Sequence, residues 1–169
     1  MSEISVDPAE VELLLYLGTM VRDAAHMEGT VEALTGHLLA SSEPKRPGVQ
    51  GKPLSDLVRT CRAAARRVVR VDAAQVSALD ELLDPVDAVS KLRNAYVHGG
   101  WARGLDGSLI AIRGKQGQSN LVSHAVSGEQ LVEMINEVRG ICDGLMTWIG
   151  RDLDLVYGST QDQSGTEPQ

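Results

Sequence analysis

The segment Asp84–Trp101 reads DPVDAVSKLRNAYVHGGW and contains both a start signal and a stop signal for a helix. Asp84 is a good N-cap residue, and Pro85 suits the first helical position because the N–H it lacks would have no partner there. Gly99-Gly100 follows, and glycine commonly forms the left-handed turn that ends a helix. The segment therefore predicts a helix over Val86–His98.

Apolar residues at helical spacing also precede this segment. A first helix is predicted to begin after Asp7-Pro8 and to run to about Ala40, with a polar loop over Ser41–Lys52. Two further helices are predicted over Pro53–Val71 and Ala73–Leu83. The apolar positions of the first helix are Leu14, Leu17, Val21, Ala24, Met27, Val31, Leu34 and Leu38.

After the glycine pair the apolar pattern changes from helical to alternating. Ser108–Arg113 and Leu121–Val126 are predicted to form the two strands of a hairpin. Ser127 and Gln130 then form a capping-box pattern, which predicts the start of a last long helix. The residues over 158–169 are polar and without pattern, which predicts a disordered tail. The predicted core residues of the last helix are Leu131, Met134 or Ile135, Val138, Ile141, Leu145 and Trp148.

The composition favours one mainly all-α domain over residues 1–157. The chain of 169 residues is 43% hydrophobic but only 3% aromatic, with no Phe. Its core must therefore consist of Leu, Val, Ile, Ala and Met, which suits close helix packing better than a β-sandwich. The expected architecture is a bundle of about four to five helices with a small β-hairpin before the last helix.

The net charge of the chain and the length of its apolar runs restrict the binding partners that it can have. The formal net charge is −7, so an RNA contact would have to use a local basic patch. The N-terminus is polar, and the apolar run Leu13–Val21 is about half as long as a membrane span, so we expect a cytoplasmic protein without membrane contact. Cys61 and Cys142 lie among apolar neighbours and are expected to be buried free thiols.

Three polar residues, Arg93, Asn94 and His98, lie near the end of the predicted helix Val86–His98. Asn94 and His98 are four positions apart and share a helix face, whereas Arg93 lies at the border of the apolar face. A partly desolvated guanidinium requires an anionic partner, either a carboxylate such as Glu28 or a substrate phosphate. A cation, an amide and an imidazole are therefore expected to meet at this helix end.

This pattern resembles the HEPN superfamily (higher eukaryote and prokaryote nucleotide-binding domains), whose marker is an Arg followed at four to six intervening positions by a His near a helix end. The resemblance spans about residues 10–150, and the marker maps onto Arg93, Asn94 and His98. It implies metal-independent RNA cleavage by two motifs facing each other across a homodimer, in toxin–antitoxin or phage-defence systems. One branch has a modifiable Tyr two residues after the His, but Gly100 stands there, so that regulation is not implied.

The chemistry of these three residue types also suits RNA cleavage, independently of the resemblance. Cleaving RNA without a metal or cofactor requires a base for the 2′-hydroxyl proton, an acid for the leaving oxygen and a cation for the developing charge. Histidine is the side chain suited to acid/base catalysis near neutral pH, so His98 is the acid/base candidate, and Arg93 would bind the phosphate. Asn94 would orient the phosphate or His98. The product would carry a 2′,3′-cyclic phosphate.

Further RNA contacts are suggested outside the motif. Tyr96 and Trp101 flank it and either stack on a base or pack beside the hairpin. A concentrated basic surface on the second predicted helix either follows an RNA backbone or pairs with carboxylates of neighbouring helices. Its residues are Arg59, Arg62, Arg66 and Arg70.

Three hypotheses of function follow. The first is a dimeric endoribonuclease of HEPN type, a toxin or defence effector restrained by an antitoxin or other regulatory protein. The second is a non-catalytic helical module that binds protein or RNA, in which His98 only favours the negative end of the helix dipole and Arg93 is an internal ion-pair residue. The third is a nucleotide-binding regulator, which a nucleotide would stabilise against heat.

Overall fold

The computed structural model describes residues 7–42, 48–104, 108–114 and 121–157, so the predicted tail over 158–169 lies outside it, as do residues 43–47 of the predicted loop. In this part of the chain the backbone forms five α-helices and three β-strands, which confirms the prediction of a mainly helical fold. In chain order these are α1 (Pro8–Ser42), α2 (Leu54–Ala65), α3 (Ala73–Leu83), α4 (Val86–His98), β1 (Gly100–Arg103), β2 (Leu109–Gly114), β3 (Leu121–Val126) and α5 (Gly128–Tyr157).

The chain divides into two compact units. The first comprises Met1–Glu28 and Pro85–Gly140, and the second comprises Gly29–Asp84 and Ile141–Gln169. Helices α1 and α5 contribute residues to both units. The interpretation of residues 1–157 as one domain stays a prediction.

Each unit buries an apolar interior of aliphatic side chains and methionines. The predicted core positions of the last helix are buried, as are both cysteine thiols, so these two predictions are confirmed. The buried side chains of the first unit include Met20, Ala24, Met27, Val86, Val89, Ala111, Leu131, Met134, Ile135 and Val138. Those of the second unit include Val31, Leu34, Leu38, Leu57, Cys61, Leu79, Leu83, Ile141, Cys142, Leu145 and Trp148. Among the described residues, no helix is long and apolar enough to cross a membrane.

The predicted cap of α4 is wrong. Asp84 is in the helical conformation and ends α3, and its carboxylate accepts a hydrogen bond of 2.6 Å from Arg62 instead of capping α4. Pro85 is the N-cap of α4 and makes no side-chain cap hydrogen bond. The cap that the sequence reading missed is Asp72, which forms a reciprocal capping box with Gln75 at the start of α3.

The predicted extent of the second helix is also wrong at its C-terminal end. Helix α2 stops at Ala65 and not at Val71, and tighter turn bonds such as Val68 N to Ala65 O follow. Two adjacent β-branched residues, Val68 and Val69, disfavour a continued helix, and the chain must leave it before the Asp72 cap. Arg70 therefore does not lie on the helical face that the sequence suggested.

The predicted hairpin is part of a three-stranded antiparallel sheet in the order β1-β2-β3. Strand β1, which was not predicted, pairs with β2 so that Trp101 lies opposite Ala111, and Ala111 lies opposite His124. The capping box of Ser127 and Gln130 is present, with hydrogen bonds of 3.1 and 3.2 Å, and it leads into α5. The chain therefore passes from the motif at the end of α4 through Gly99 into strand β1 of this sheet.

Candidate functional site

The candidate site lies in the last two turns of α4, within the first unit. Arg93 and Asn94 are half-buried, and His98 is exposed in the final turn. The four-residue spacing of Asn94 and His98 places both on one side of the helix. A cation, an amide and an imidazole therefore occupy the same helix end.

The guanidinium of Arg93 has partners within the protein. Its Nη1 donates a hydrogen bond of 2.9 Å to Asn94 Oδ1 and lies 3.9 Å from Glu28 Oε1 on α1. The Arg93 side chain is 20% exposed, and its buried Nε has no hydrogen-bond partner among the described residues. Of the two partners expected from the sequence, the carboxylate of Glu28 is present, at a distance that corresponds to a loose ion pair rather than a hydrogen bond.

Asn94 orients the cation. Its amide oxygen accepts the Arg93 hydrogen bond, whereas the sequence suggested that Asn94 orients a phosphate or His98. The contact fixes Nη1 of the guanidinium between an amide and a carboxylate. A phosphate would have to reach the guanidinium through the 20% of the side chain that is exposed.

His98 differs from Arg93 in its surroundings. It is exposed, and within the described ranges no hydrogen bond or ion pair of its imidazole is found. It lies in the last turn of α4, at the negative end of the helix dipole. The imidazole is therefore accessible to a substrate or to a second protein chain.

The junction after His98 is tightly packed. The predicted left-handed turn is wrong, because Gly99 has φ −77° and ψ 157°, an extended conformation that leads directly into β1. Glycine is required here by space, since a Cβ at this position would lie 2.3 Å from Ala95 O and 2.9 Å from Ile112 O. Backbone of β2 and of the last turn of α4 therefore approaches Gly99 closely.

The two aromatic residues beside the motif have different environments. Tyr96 is 3% exposed, and burial raises the pKa of its hydroxyl, so it belongs to the core and is not an accessible RNA contact. Trp101 is 41% exposed, and its indole N–H donates a hydrogen bond of 3.2 Å to Tyr96 O. The two ring centroids lie 6.4 Å apart.

The basic surface on the second helix lies in the second unit and is largely paired. Arg59 pairs with Asp56 on its own helix at 2.9 Å, and Arg66 pairs with Asp80 on α3 at 2.6 Å. Arg62 contacts both Asp80 and Asp84 and is only 29% exposed. For these three arginines the structure agrees with the interpretation that they pair with carboxylates.

The sequence prediction named Glu28 as a partner for Arg93 but missed a second ion pair with α1, between Arg103 and Glu10. Arg103 pairs with Glu10 at 3.5 Å, while Arg93 pairs with Glu28, so the chain over 93–103 runs antiparallel to α1. Glu10 and Arg103 are far apart in sequence and give no local signal, so only the tertiary structure could reveal their pairing. In the part of the chain described, no cluster of three or more His, Cys, Asp or Glu is arranged to hold a metal ion.

Comparison with known proteins gives no assignment. No family model matches the sequence, and no curated protein or solved structure shows significant similarity to the chain.

Proposed function

We propose that this protein is a metal-independent endoribonuclease of HEPN type that cleaves RNA through its 2′-hydroxyl and acts as a homodimer in the cytoplasm. The observation that carries the proposal is an exposed imidazole, His98, one helical turn after Asn94, whose amide oxygen accepts a hydrogen bond from the guanidinium of Arg93. These are the groups that metal-free transfer of a phosphodiester requires.

In this mechanism His98 removes the proton of the 2′-hydroxyl. The 2′-oxygen then attacks phosphorus, and the bond from phosphorus to the 5′-oxygen breaks, leaving a 2′,3′-cyclic phosphate. Arg93 stabilises the negative charge that develops on the phosphate oxygens. A phosphate oxygen that approached closer than Glu28, which lies at 3.9 Å, would replace this loose pairing with a charge-assisted hydrogen bond.

The leaving 5′-oxygen requires a proton at the same stage, and one imidazole cannot be the base and the acid in a single step. A second copy of the motif across a dimer interface would supply the other imidazole. The dimer is proposed on this ground and on the HEPN resemblance. Exposed apolar residues on the first turns of α1 offer a surface for it: Val11, Leu14 and Leu15.

The test is cleavage of mixed RNA by purified protein in EDTA. Wild type is expected to produce cyclic-phosphate ends, and His98→Ala and Arg93→Ala are expected to abolish them at unchanged secondary structure. His26→Ala, which removes an exposed His of α1, is the matched control and should cleave normally. Intact RNA with wild type, or equal cleavage by the His98 variant, would refute the proposal.

The setting of the activity is proposed as toxin–antitoxin or phage defence, with a partner protein that restrains the enzyme. Induced wild-type protein should then slow growth in cells that lack the partner, and His98→Ala should relieve the effect. Equal growth inhibition by both proteins would contradict this setting.

A second candidate is a non-catalytic binding module of the same fold. It is favoured by the pairing of Arg93 with Glu28 and Asn94, which a purely structural role would explain. In this case the wild-type protein leaves RNA intact, and Arg93→Met lowers the Tm because it removes a structural ion pair. Binding would then depend on the 78% exposed Arg59, so Arg59→Glu should weaken it and His98→Ala should not.

A further inference from the structure

Trp101 presents an indole whose position is fixed but whose surface is partly open. The ring is 41% exposed, and its N–H donates to the carbonyl oxygen of Tyr96, which holds the side chain in one orientation. The buried Tyr96 ring lies behind it at 6.4 Å between centroids. Because the only polar atom of the indole is already bonded, what remains for a ligand is carbon surface.

Trp101 lies close to His98 along the chain. They are three positions apart, so their Cα atoms can lie at most about 11 Å apart. Gly99 has little room around it, because a Cβ at this position would lie within 3 Å of the backbone oxygens of Ala95 and Ile112. At the two ends of this segment, Arg93 and Arg103 lie 3.9 and 3.5 Å from carboxylates of α1. A base on Trp101 would therefore belong to a nucleotide next to the phosphate at His98.

We infer that Trp101 is the stacking platform for an unpaired base beside the scissile phosphate, an inference that rests on the proposed ribonuclease function. Base–aromatic stacking contributes substantially to single-strand binding and needs no hydrogen-bond readout. Because its N–H is already bonded and cannot donate to the edge of a base, Trp101 distinguishes bases only by the ring area that stacks on the indole. The preferred substrate is accordingly single-stranded RNA with a purine at this position, and paired bases are excluded because their faces are covered.

The first experiment measures binding apart from cleavage. The chain has two tryptophans, and Trp148 is buried, so the double variant His98→Ala/Trp148→Phe leaves Trp101 as the only reporter in an inactive protein. Short oligo(A) is expected to quench its fluorescence saturably, oligo(U) to bind more weakly, and duplex RNA to cause no quenching. If Trp148→Phe unfolds the protein, the difference in fluorescence between His98→Ala and His98→Ala/Trp101→Phe reports the same signal.

The second experiment measures cleavage. Trp101→Leu in the otherwise wild-type protein should raise KM by about tenfold and change kcat little, and Trp101→Phe should restore most of the loss. The Tm of each variant, measured beside wild type, shows whether the lost hydrogen bond to Tyr96 affects folding.

The outcomes separate this inference from the proposed function. Cleavage by wild type together with unquenched Trp101, or an unchanged KM in Trp101→Leu, would overturn the inference and leave the ribonuclease standing. Quenching without cleavage by wild type would refute the enzyme and keep Trp101 as a base-stacking residue. Conversion of a dimer to a monomer by Trp101→Leu in sedimentation would overturn the inference, because Trp101 would then be a protein contact.

Discussion

Replacing Gly99 by Ala tests whether the end of α4 is as tightly packed as the structure indicates. The added Cβ would lie 2.3 Å from Ala95 O and 2.9 Å from Ile112 O, both backbone atoms. Carbon and oxygen rarely approach within about 3.3 Å, so Ala95 O would have to move by about 1 Å. That oxygen accepts the Gly99 N–H at 2.9 Å, so the last bond of the helix would be weakened as well.

The magnitude follows from opposing terms. Overpacking costs about 1–3 kcal/mol, and the weakened hydrogen bond costs up to about 1 kcal/mol. The lower entropy of the unfolded chain returns about 0.4–1 kcal/mol. We expect a net loss of about 2 kcal/mol, which for a chain of this length lowers the Tm by about 4–8 °C.

Thermal unfolding followed by far-UV circular dichroism measures this loss, with Gly100→Ala as the matched control. The nearest atom to a Cβ at Gly100 is Ile112 O at 3.9 Å, an ordinary contact, so that variant should unfold at or slightly above the wild-type Tm. The reasoning would be refuted if Gly99→Ala were as stable as wild type, or if both variants lost stability equally.

Two further predictions concern buried ionisable groups. Burial raises the pKa of Asp23, but hydrogen bonds from Arg22 and Arg139 outweigh burial and hold this pKa below its ordinary value. The stability that the Asp23 carboxylate contributes is therefore complete above the unfolded pKa of about 3.9 and is lost as the pH falls through the folded pKa. Asp23→Asn should therefore lower the free energy of unfolding by about 1–2 kcal/mol at neutral pH, a modest loss because both arginines are more than half exposed. The variant should also lose less stability than wild type as the pH falls. Urea titrations that give parallel stability curves for the two proteins across pH would contradict this. Burial also raises the pKa of Cys61 to about 11, so a thiol reagent at neutral pH should modify neither Cys61 nor the buried Cys142 until the chain unfolds, and rapid labelling of native protein would disprove it.

Local signals predicted several elements closely. The bounds of α3, α4 and β3 match the sequence prediction, because α4 stops at a glycine pair and β3 ends at the Ser127 capping box. The C-terminal end of α2 and the existence of β1 were not predicted. Strand β1 has four residues without apolar alternation and exists because β2, from a later part of the sequence, pairs with it.

The sequence by itself determined the helical character of this protein and the position of Arg93, Asn94 and His98 at a helix end, since both depend on neighbours within a few residues. Only the tertiary structure decided which side chains are accessible and which are paired. Trp101 remains half-exposed while Tyr96 is buried, and Arg93 meets Glu28 from a helix far away in the sequence. Burial and ion pairing depend on segments that are distant in sequence and pack together, and no local sequence pattern indicates those contacts.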